Sequence, residues 1–173
     1  PTAHPRIVTP RAPVDQAVLT SVGHATFLIQ IGGLNVLTDP MWSERASPVG
    51  FAGPPRWTSP GVALDALPPI DAVVLSHNHY DHLDDRTVRQ IVARHPAARW
   101  LAPLGVAPLL IQRGARNVLE LDWWEETRIG PLAIGCTPAQ HFSARGFRDR
   151  NRTLWGGFVV RANGPPHPTP PVS

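Results

Sequence analysis

The sequence predicts an α/β protein built as a single domain, and three observations lead to this prediction. Short apolar runs of strand character alternate with two segments of helical periodicity between residues 71 and 121. Near the start of the chain, Gly32-Gly33 separates two apolar runs in the manner of a two-residue β-hairpin turn. The chain has 173 residues, of which 42% are hydrophobic, and this suffices for one hydrophobic core.

Each element follows from its local pattern. The first helix is expected to begin at Asp84 or Asp85, which suit an N-cap, and to end before Pro96. A second helix is expected over 104–113, with Gly114 as its stop signal. Apolar runs bounded by turn-forming residues predict strands over 18–22, 25–31, 34–37, 71–76, 99–102, 117–121, 126–129, 132–137 and 154–161.

The two ends of the chain lack these patterns. Residues 1–16 are polar and rich in proline, which predicts a flexible segment ahead of a domain that spans 17–162. Residues 163–173 carry repeated prolines and are expected to be disordered. No apolar run is long enough for a transmembrane helix, and the start has no apolar signal-peptide core, so a cytoplasmic protein is expected. The single Cys136 fits a reducing compartment and a place in the core.

Aromatic and basic residues outside the strands leave several interpretations open. In the irregular segment 39–69, the aromatic residues either form an apolar lip that receives acyl chains or touches a membrane, or they anchor the loop. These residues are Trp42, Phe51 and Trp57. The Arg145 and Arg148 guanidinium groups, with those of Arg150 and Arg152, suit a solvated loop, a phosphate or anionic membrane site, or nucleic acid. Nucleic acid is the least favoured, because the net charge is a modest +3 and no exposed aromatics are interleaved.

The most informative stretch of the chain is His-Asn-His-Tyr-Asp-His at residues 77–82, directly after a buried apolar run. Imidazole is the commonest metal ligand among side chains, and zinc accepts both imidazole nitrogen and carboxylate oxygen. In an extended segment, His77 and His79 point to the same side and can hold one ion together. Asp81 and His82 can reach a second ion if the chain turns after them. The pattern therefore predicts a metal-dependent hydrolase.

The motif and its surroundings resemble the metallo-β-lactamase superfamily, whose signature is similar to residues 75–84. Further stretches resemble the branch of that superfamily which hydrolyses N-acylphosphatidylethanolamine as a phospholipase D. They are VGHAT at 22–26, LTDP at 37–40, RASP at 45–48, LDWWEE at 121–126, PAQH at 138–141 and LWG at 154–156.

The resemblance implies a metallo-β-lactamase-like αββα sandwich with two zinc ions, of which this sequence carries mainly the N-terminal half. By match to the family motif, His77, His79 and His141 would bind the first zinc. Asp81 and His82 would bind the second, and Asp81 would also help to orient the attacking hydroxide. From the residues alone, His141 is open, because it follows a strand and precedes an arginine-rich loop without needing to be a ligand.

Two further polar residues have a structural alternative. Asp39 either supports a ligand imidazole through a hydrogen bond or is a turn-forming residue before Pro40. His24 either supports the site from a strand or is a satisfied buried histidine, and the second interpretation is favoured. Arg145, Arg148, Trp42 and Trp57 are the candidates for substrate contacts.

The family pattern also contains parts that this sequence lacks. These are a bridging aspartate in a G-D-T/S-G context and a late histidine that completes the second zinc site. The chain is therefore interpreted as C-terminally truncated, with one face of its sheet uncovered and with one zinc as the alternative to two.

The principal functional hypothesis is a zinc-dependent phosphodiesterase of phospholipase D type. It would act on N-acylphosphatidylethanolamine-like lipids or other phosphodiesters by attack of a metal hydroxide on phosphorus. Peripheral membrane contact and a homo-oligomer are further expectations. The alternatives are a lactonase on the same fold, against which LDWWEE argues, and an inactive fragment that keeps one metal site.

Overall fold

A computed structural model describes residues 6–146 and 148–162, so the predicted disorder of 163–173 lies outside the described residues. The described strands are β1 Ala17–Gly23, β2 Thr26–Ile31, β3 Leu34–Thr38, β4 Ala72–Val74, β5 Arg99–Pro103, β6 Val118–Leu121, β7 Glu126–Ile129, β8 Leu132–Thr137 and β9 Gly157–Ala162. The helices are α1 Asp85–Arg94 and α2 Ala107–Ile111, with a 3-10 turn at Leu64–Ala66. None of the described helices has the length and apolar character that a membrane span needs.

The strands form two sheets. β1 to β6 lie side by side in sequence order; β1, β2 and β3 are antiparallel, and β3 to β6 are parallel. β7, β8 and β9 form a smaller antiparallel sheet. Because parallel strands end on the same edge, the loops that follow β3, β4 and β5 meet there, at the usual ligand position of α/β proteins.

The predicted hairpin is confirmed between β2 and β3. Ile31 pairs with Leu34, and the two residues between them, Gly32 and Gly33, have φ angles of 58° and 74°. A two-residue turn with both φ angles positive suits the twist of the flanking strands, and glycine adopts it without a steric penalty.

The core lies on both faces of the larger sheet. Val73 packs with Ile91 and Trp100 in a cluster shared with the helices, while Ala72 and Val74 pack with residues of the smaller sheet such as Ile134. The three residues of β4 are therefore buried on both sides, as a continuous apolar strand requires. The expectation that one face of the first sheet lacks a cover is wrong, because β7 to β9 cover it.

Two further expectations need correction. α2 is shorter than 104–113, because Gly105 has a φ of 84° and forms a turn before the helix starts. Residues 6–16 are held rather than loose: the Val8 backbone exchanges two hydrogen bonds with the Gln30 amide at 2.9 and 2.7 Å, and Arg11 forms an ion pair with Asp71.

Trp100 and Trp57 offer a matched test of this packing, since their exposed fractions are 1% and 99%. We expect Trp100→Ala to lower the free energy of unfolding by about 3–5 kcal/mol, because it opens a cavity in the core. Trp57→Ala should change it by less than about 0.5 kcal/mol. Urea unfolding of both variants measures the difference, and equal losses would contradict the described core.

Candidate metal centre

The six-residue motif at 77–82 forms a tight loop just beyond the end of β4. The backbone N–H groups of His82 and Leu83 both donate to the carbonyl oxygen of His79, at 3.1 and 2.7 Å. These bonds turn the chain sharply after His79 and lead it into α1. Asp84 is the N-cap of α1, where its carboxylate accepts from the backbone N–H of Arg86, so the motif is held between a strand end and a helix start.

Three imidazoles converge in a first group, as the sequence predicts for His77, His79 and His141. His77 Nε2 lies 2.8 Å from His79 Nδ1 and 3.0 Å from His141 Nε2, and the last two nitrogens are 3.3 Å apart. His141 reaches this point from the loop that follows β8, in the second sheet. The two sheets therefore have to pack as described for the group to form.

These three nitrogens fit a cation better than they fit one another. Each nitrogen of a neutral imidazole is either a donor or an acceptor. Among three nitrogens in mutual contact, at least two must therefore both be donors or both be acceptors, and such a pair cannot form a hydrogen bond. A cation that accepts all three lone pairs removes this conflict. Nitrogens in a tetrahedral zinc site lie about 3.4 Å from one another, given zinc–nitrogen distances of about 2.0–2.1 Å, and the observed contacts are close to this.

Burial keeps the first group ready to bind a cation. His77 is 4% exposed, and desolvation together with the neighbouring imidazoles lowers its pKa to about 3. The pKa of His79 is lowered for the same two reasons. Both rings therefore stay neutral near pH 7 and keep a free lone pair.

A second group consists of His24, Asp81 and His82, whose ligand atoms lie within 4.8 Å of one another. Asp81 Oδ2 is 2.9 Å from His24 Nε2 and 3.5 Å from His82 Nε2. The rings of His77 and His82 are 4.1 Å apart between centroids, so the two groups are neighbours. His24 is not the buried histidine that the sequence favours, because its side chain is 48% exposed.

Asp39 supports this group from the end of β3. Its carboxylate accepts hydrogen bonds from the backbone N–H and the hydroxyl of Ser76 at 2.7 and 2.8 Å, and lies 3.0 Å from His82 Nδ1. Of the two interpretations left open by the sequence, the contact with a ligand imidazole is the one that the geometry favours. Such a contact fixes the orientation of the His82 ring.

Unlike the first group, the second carries charge. Burial acts to lower the pKa of His82, but hydrogen bonds with the carboxylates of Asp39 and Asp81 outweigh it and raise the pKa to about 9. The hydrogen bond from His82 in turn holds the pKa of Asp81 well below its usual range. Near neutral pH, a protonated imidazole therefore occupies the space between two carboxylates, where a metal cation could replace the proton.

Arg145, a predicted substrate contact, lines the same cavity as His79 and Asp81 and is also bound by protein partners. Its guanidinium donates to the carbonyl oxygens of Asn78 and Leu83 at 2.8 and 2.9 Å and forms an ion pair with Asp85. It also stacks on Tyr80, with 3.8 Å between the guanidinium carbon and the ring centroid. Arg145 thus ties the loop of His141 to the motif loop.

The metal centre opens into a cleft of about 780 Å³. His24, His79 and Asp81 line one side, and the segment 39–69 contributes a largely apolar wall that includes Pro55 and Trp57. Further wall residues are Met41, Pro54 and Arg56, which the sequence did not single out because nothing in an irregular segment shows which side chains face inwards. Trp42 instead anchors the segment through a 2.9 Å hydrogen bond from its indole N–H to the carbonyl of Val62. Arg148, the other arginine predicted to contact substrate, is exposed and is not among the cleft residues.

Two packed sheets with a cluster of histidines at the strand ends define an α/β protein of the metallohydrolase class. More narrowly, the chain belongs to the family described as the β-lactamase superfamily domain, whose sequence model matches residues 34–167. This confirms the predicted superfamily, its αββα type of fold and a lineage of metal-dependent hydrolases.

Similar proteins agree with this assignment. The chain is 44% identical over 161 residues to an uncharacterized protein of Mycobacterium tuberculosis, covering 92% of the chain and 42% of the relative. It is 40% identical over 150 residues to an N-acyl-phosphatidylethanolamine-hydrolyzing phospholipase D of Caenorhabditis elegans, covering 82% and 42%. The structure of a metallo hydrolase from Ignicoccus hospitalis matches 84% of the chain and 56% of its own, with a TM-score of 0.61 and 22% identity. The chain thus spans about two fifths of the length of these two sequence relatives.

The opposite protonation of the two groups gives a pH test. Because His82 holds a proton up to a pKa of about 9, cation binding to the second group must release it. Second-ion affinity should therefore rise with pH below the pKa of His82, by up to about tenfold per pH unit. First-ion affinity should change little, because the pKa of His77 is about 3. Zinc titration calorimetry in buffers of different ionisation enthalpy measures both slopes; equal slopes would refute this assignment.

Arg145 and Arg148 form a second matched pair. Arg145→Ala should lower the free energy of unfolding by about 2–4 kcal/mol, because it leaves buried carbonyls and the Asp85 carboxylate with fewer partners. Arg148→Ala, at an exposed position, should change it by less than about 0.5 kcal/mol. Thermal and urea unfolding of both variants test this, and indistinguishable stabilities would contradict the tie between the loops.

Proposed function

We propose that the protein is a zinc-dependent phosphodiesterase of phospholipase D type that acts on N-acylphosphatidylethanolamine-like lipids. The observation that carries the proposal is the convergence of the His77, His79 and His141 imidazoles beside a cleft with an apolar wall. The similarity to the C. elegans phospholipase D supports this choice of substrate class.

The first zinc would be held by His77, His79 and His141, and the second by Asp81 and His82. When bound, the cations supply a water that ionises near neutral pH and positive charge for the phosphoryl oxygens. Asp81 is suited to its role because a carboxylate is ionised near neutral pH. As a carboxylate it can also accept a hydrogen bond from the attacking water and so orient it.

The cleft would bind the lipid on the side of the irregular segment. Arg56 lines the cleft and offers a cation for the phosphate, while Met41, Pro54 and Trp57 offer apolar surface for the acyl chains. Phe51 and Trp57 are 86% and 99% exposed, which suits a peripheral contact with the lipid surface that carries the substrate.

In the proposed reaction, an oxygen of water forms a new bond to phosphorus, and the bond from phosphorus to the oxygen of the N-acylethanolamine breaks. The leaving oxygen takes up a proton, so the products are phosphatidic acid and an N-acylethanolamine. Attack on phosphorus therefore places the oxygen of water in phosphatidic acid.

The test uses mixed micelles of N-acylphosphatidylethanolamine and detergent in ¹⁸O-labelled water, with zinc added. We expect both products by mass spectrometry, with the label in phosphatidic acid alone. His79→Ala should lower the rate by at least about 100-fold, because the first cation loses a ligand. His95→Ala is the matched control, since His95 caps the end of α1 and should leave the rate unchanged.

The opposite results are equally informative. Turnover that persists in His79→Ala at the wild-type rate would contradict the assigned metal site. Hydrolysis of a lactone without hydrolysis of the lipid would favour a lactonase on the same fold. Zinc binding without turnover of either substrate would favour a catalytically inactive chain.

A further inference from the structure

We propose that His24 is a third protein ligand of the second cation, together with Asp81 and His82. The inference rests on the proposed metal-dependent function of the same site. It assigns a ligand role to a histidine that lies more than fifty residues before the motif at 77–82. His24 is not among the residues that the sequence predicts to bind either ion.

The backbone places His24 over the site at some cost. It occupies the turn between β1 and β2, after Gly23, and has a φ of 52°. A residue with a Cβ atom is disfavoured by about 1 kcal/mol or more in this left-handed region, where glycine or asparagine is usual. Residues held in such conformations cluster at functional sites, and Asp39, beside the same group, also has a positive φ of 36°.

The side-chain geometry suits a shared cation. His24 Nε2 lies 2.9 Å from Asp81 Oδ2, and the rings of His24 and His82 meet edge to face with 5.2 Å between centroids. The His24 ring also lines the cleft and is half exposed, so a cation from solvent can reach it. The nitrogens and the carboxylate oxygen of the three side chains therefore surround one accessible point.

The number of ligands that zinc usually has supports a ligand role for His24. Catalytic zinc sites usually have three protein ligands, and His24 is placed to act beside Asp81 and His82. The other ring nitrogen of His82 is in contact with Asp39, which leaves Nε2 free to face a cation. His24 Nε2 would add a third ligand atom to those of Asp81 and His82.

A competing role for His24 is a hydrogen bond that merely orients Asp81. Asparagine separates the two roles, because its amide N–H can still donate to Asp81 and it tolerates a positive φ, but it is a poor zinc ligand. Glycine separates them further, since it suits the turn and leaves a space that free imidazole can fill.

The experiment counts zinc ions bound by the whole chain, by equilibrium dialysis and elemental analysis, and measures each affinity by titration. We expect two ions in the wild type and in the control His95→Asn. His24→Asn should keep the first ion at wild-type affinity and lose at least about 100-fold in affinity for the second. In His24→Gly, added imidazole should restore the second ion.

Other outcomes would overturn the proposal. These are a single ion in the wild type, a second ion in His24→Asn that binds with less than a 100-fold loss, or no rescue of His24→Gly by imidazole. The metal counts are independent of substrate. If they follow the expected pattern while the phospholipid is not cleaved, the substrate assignment fails and the role of His24 stands. If His79→Ala loses no ion, the first site of the proposed function fails instead.

Discussion

The metal centre depends on one buried carboxylate, that of Asp39. Its backbone N–H donates to the carbonyl of Val74 at 3.0 Å, which joins the ends of β3 and β4. Its two carboxylate oxygens hold Ser76, directly before the motif, and the ring of His82. Since a carboxylate that is 7% exposed must keep its partners, the motif loop cannot move away without leaving a buried charge unpaired. These bonds hold the motif loop in place without a bound cation.

The two groups of candidate ligands differ in protonation. The first has three imidazole nitrogens in mutual contact, and a cation that accepts their lone pairs would remove the conflict between them. The second is already satisfied by the proton on His82, whose pKa is about 9. A cation in the first group places positive charge close to His82, which favours loss of that proton. A cation in the first group would therefore favour binding of a cation to the second.

The parts of the fold and site that could be predicted are those encoded locally. The strand, the six-residue motif and the helix cap follow one another in sequence, so residue type and spacing were enough to find them. His141 needed the family resemblance, because its position depends on how two sheets pack. The exposure of His24 was misjudged because it follows from a turn with positive φ, and the ion pair of Arg145 was not foreseen because its partner Asp85 lies sixty residues away. Residue type alone carries neither kind of information.

The segment 39–69, which begins with Asp39, has two separate tasks in the site. Its first residue supports the His82 ring, while later residues form the cleft wall. The segment is fixed to the body of the protein by the backbone N–H of Ser43, which donates to the Asp84 carboxylate at 2.9 Å, and by that of Gly61, which donates to the carbonyl of Val22 at 2.7 Å. Between these anchors the exposed side chains, Phe51 and Trp57 among them, have few structural duties. Changes there can alter what the cleft accepts while leaving the carboxylate and the imidazoles in place, because Phe51 and Trp57 are 86% and 99% exposed.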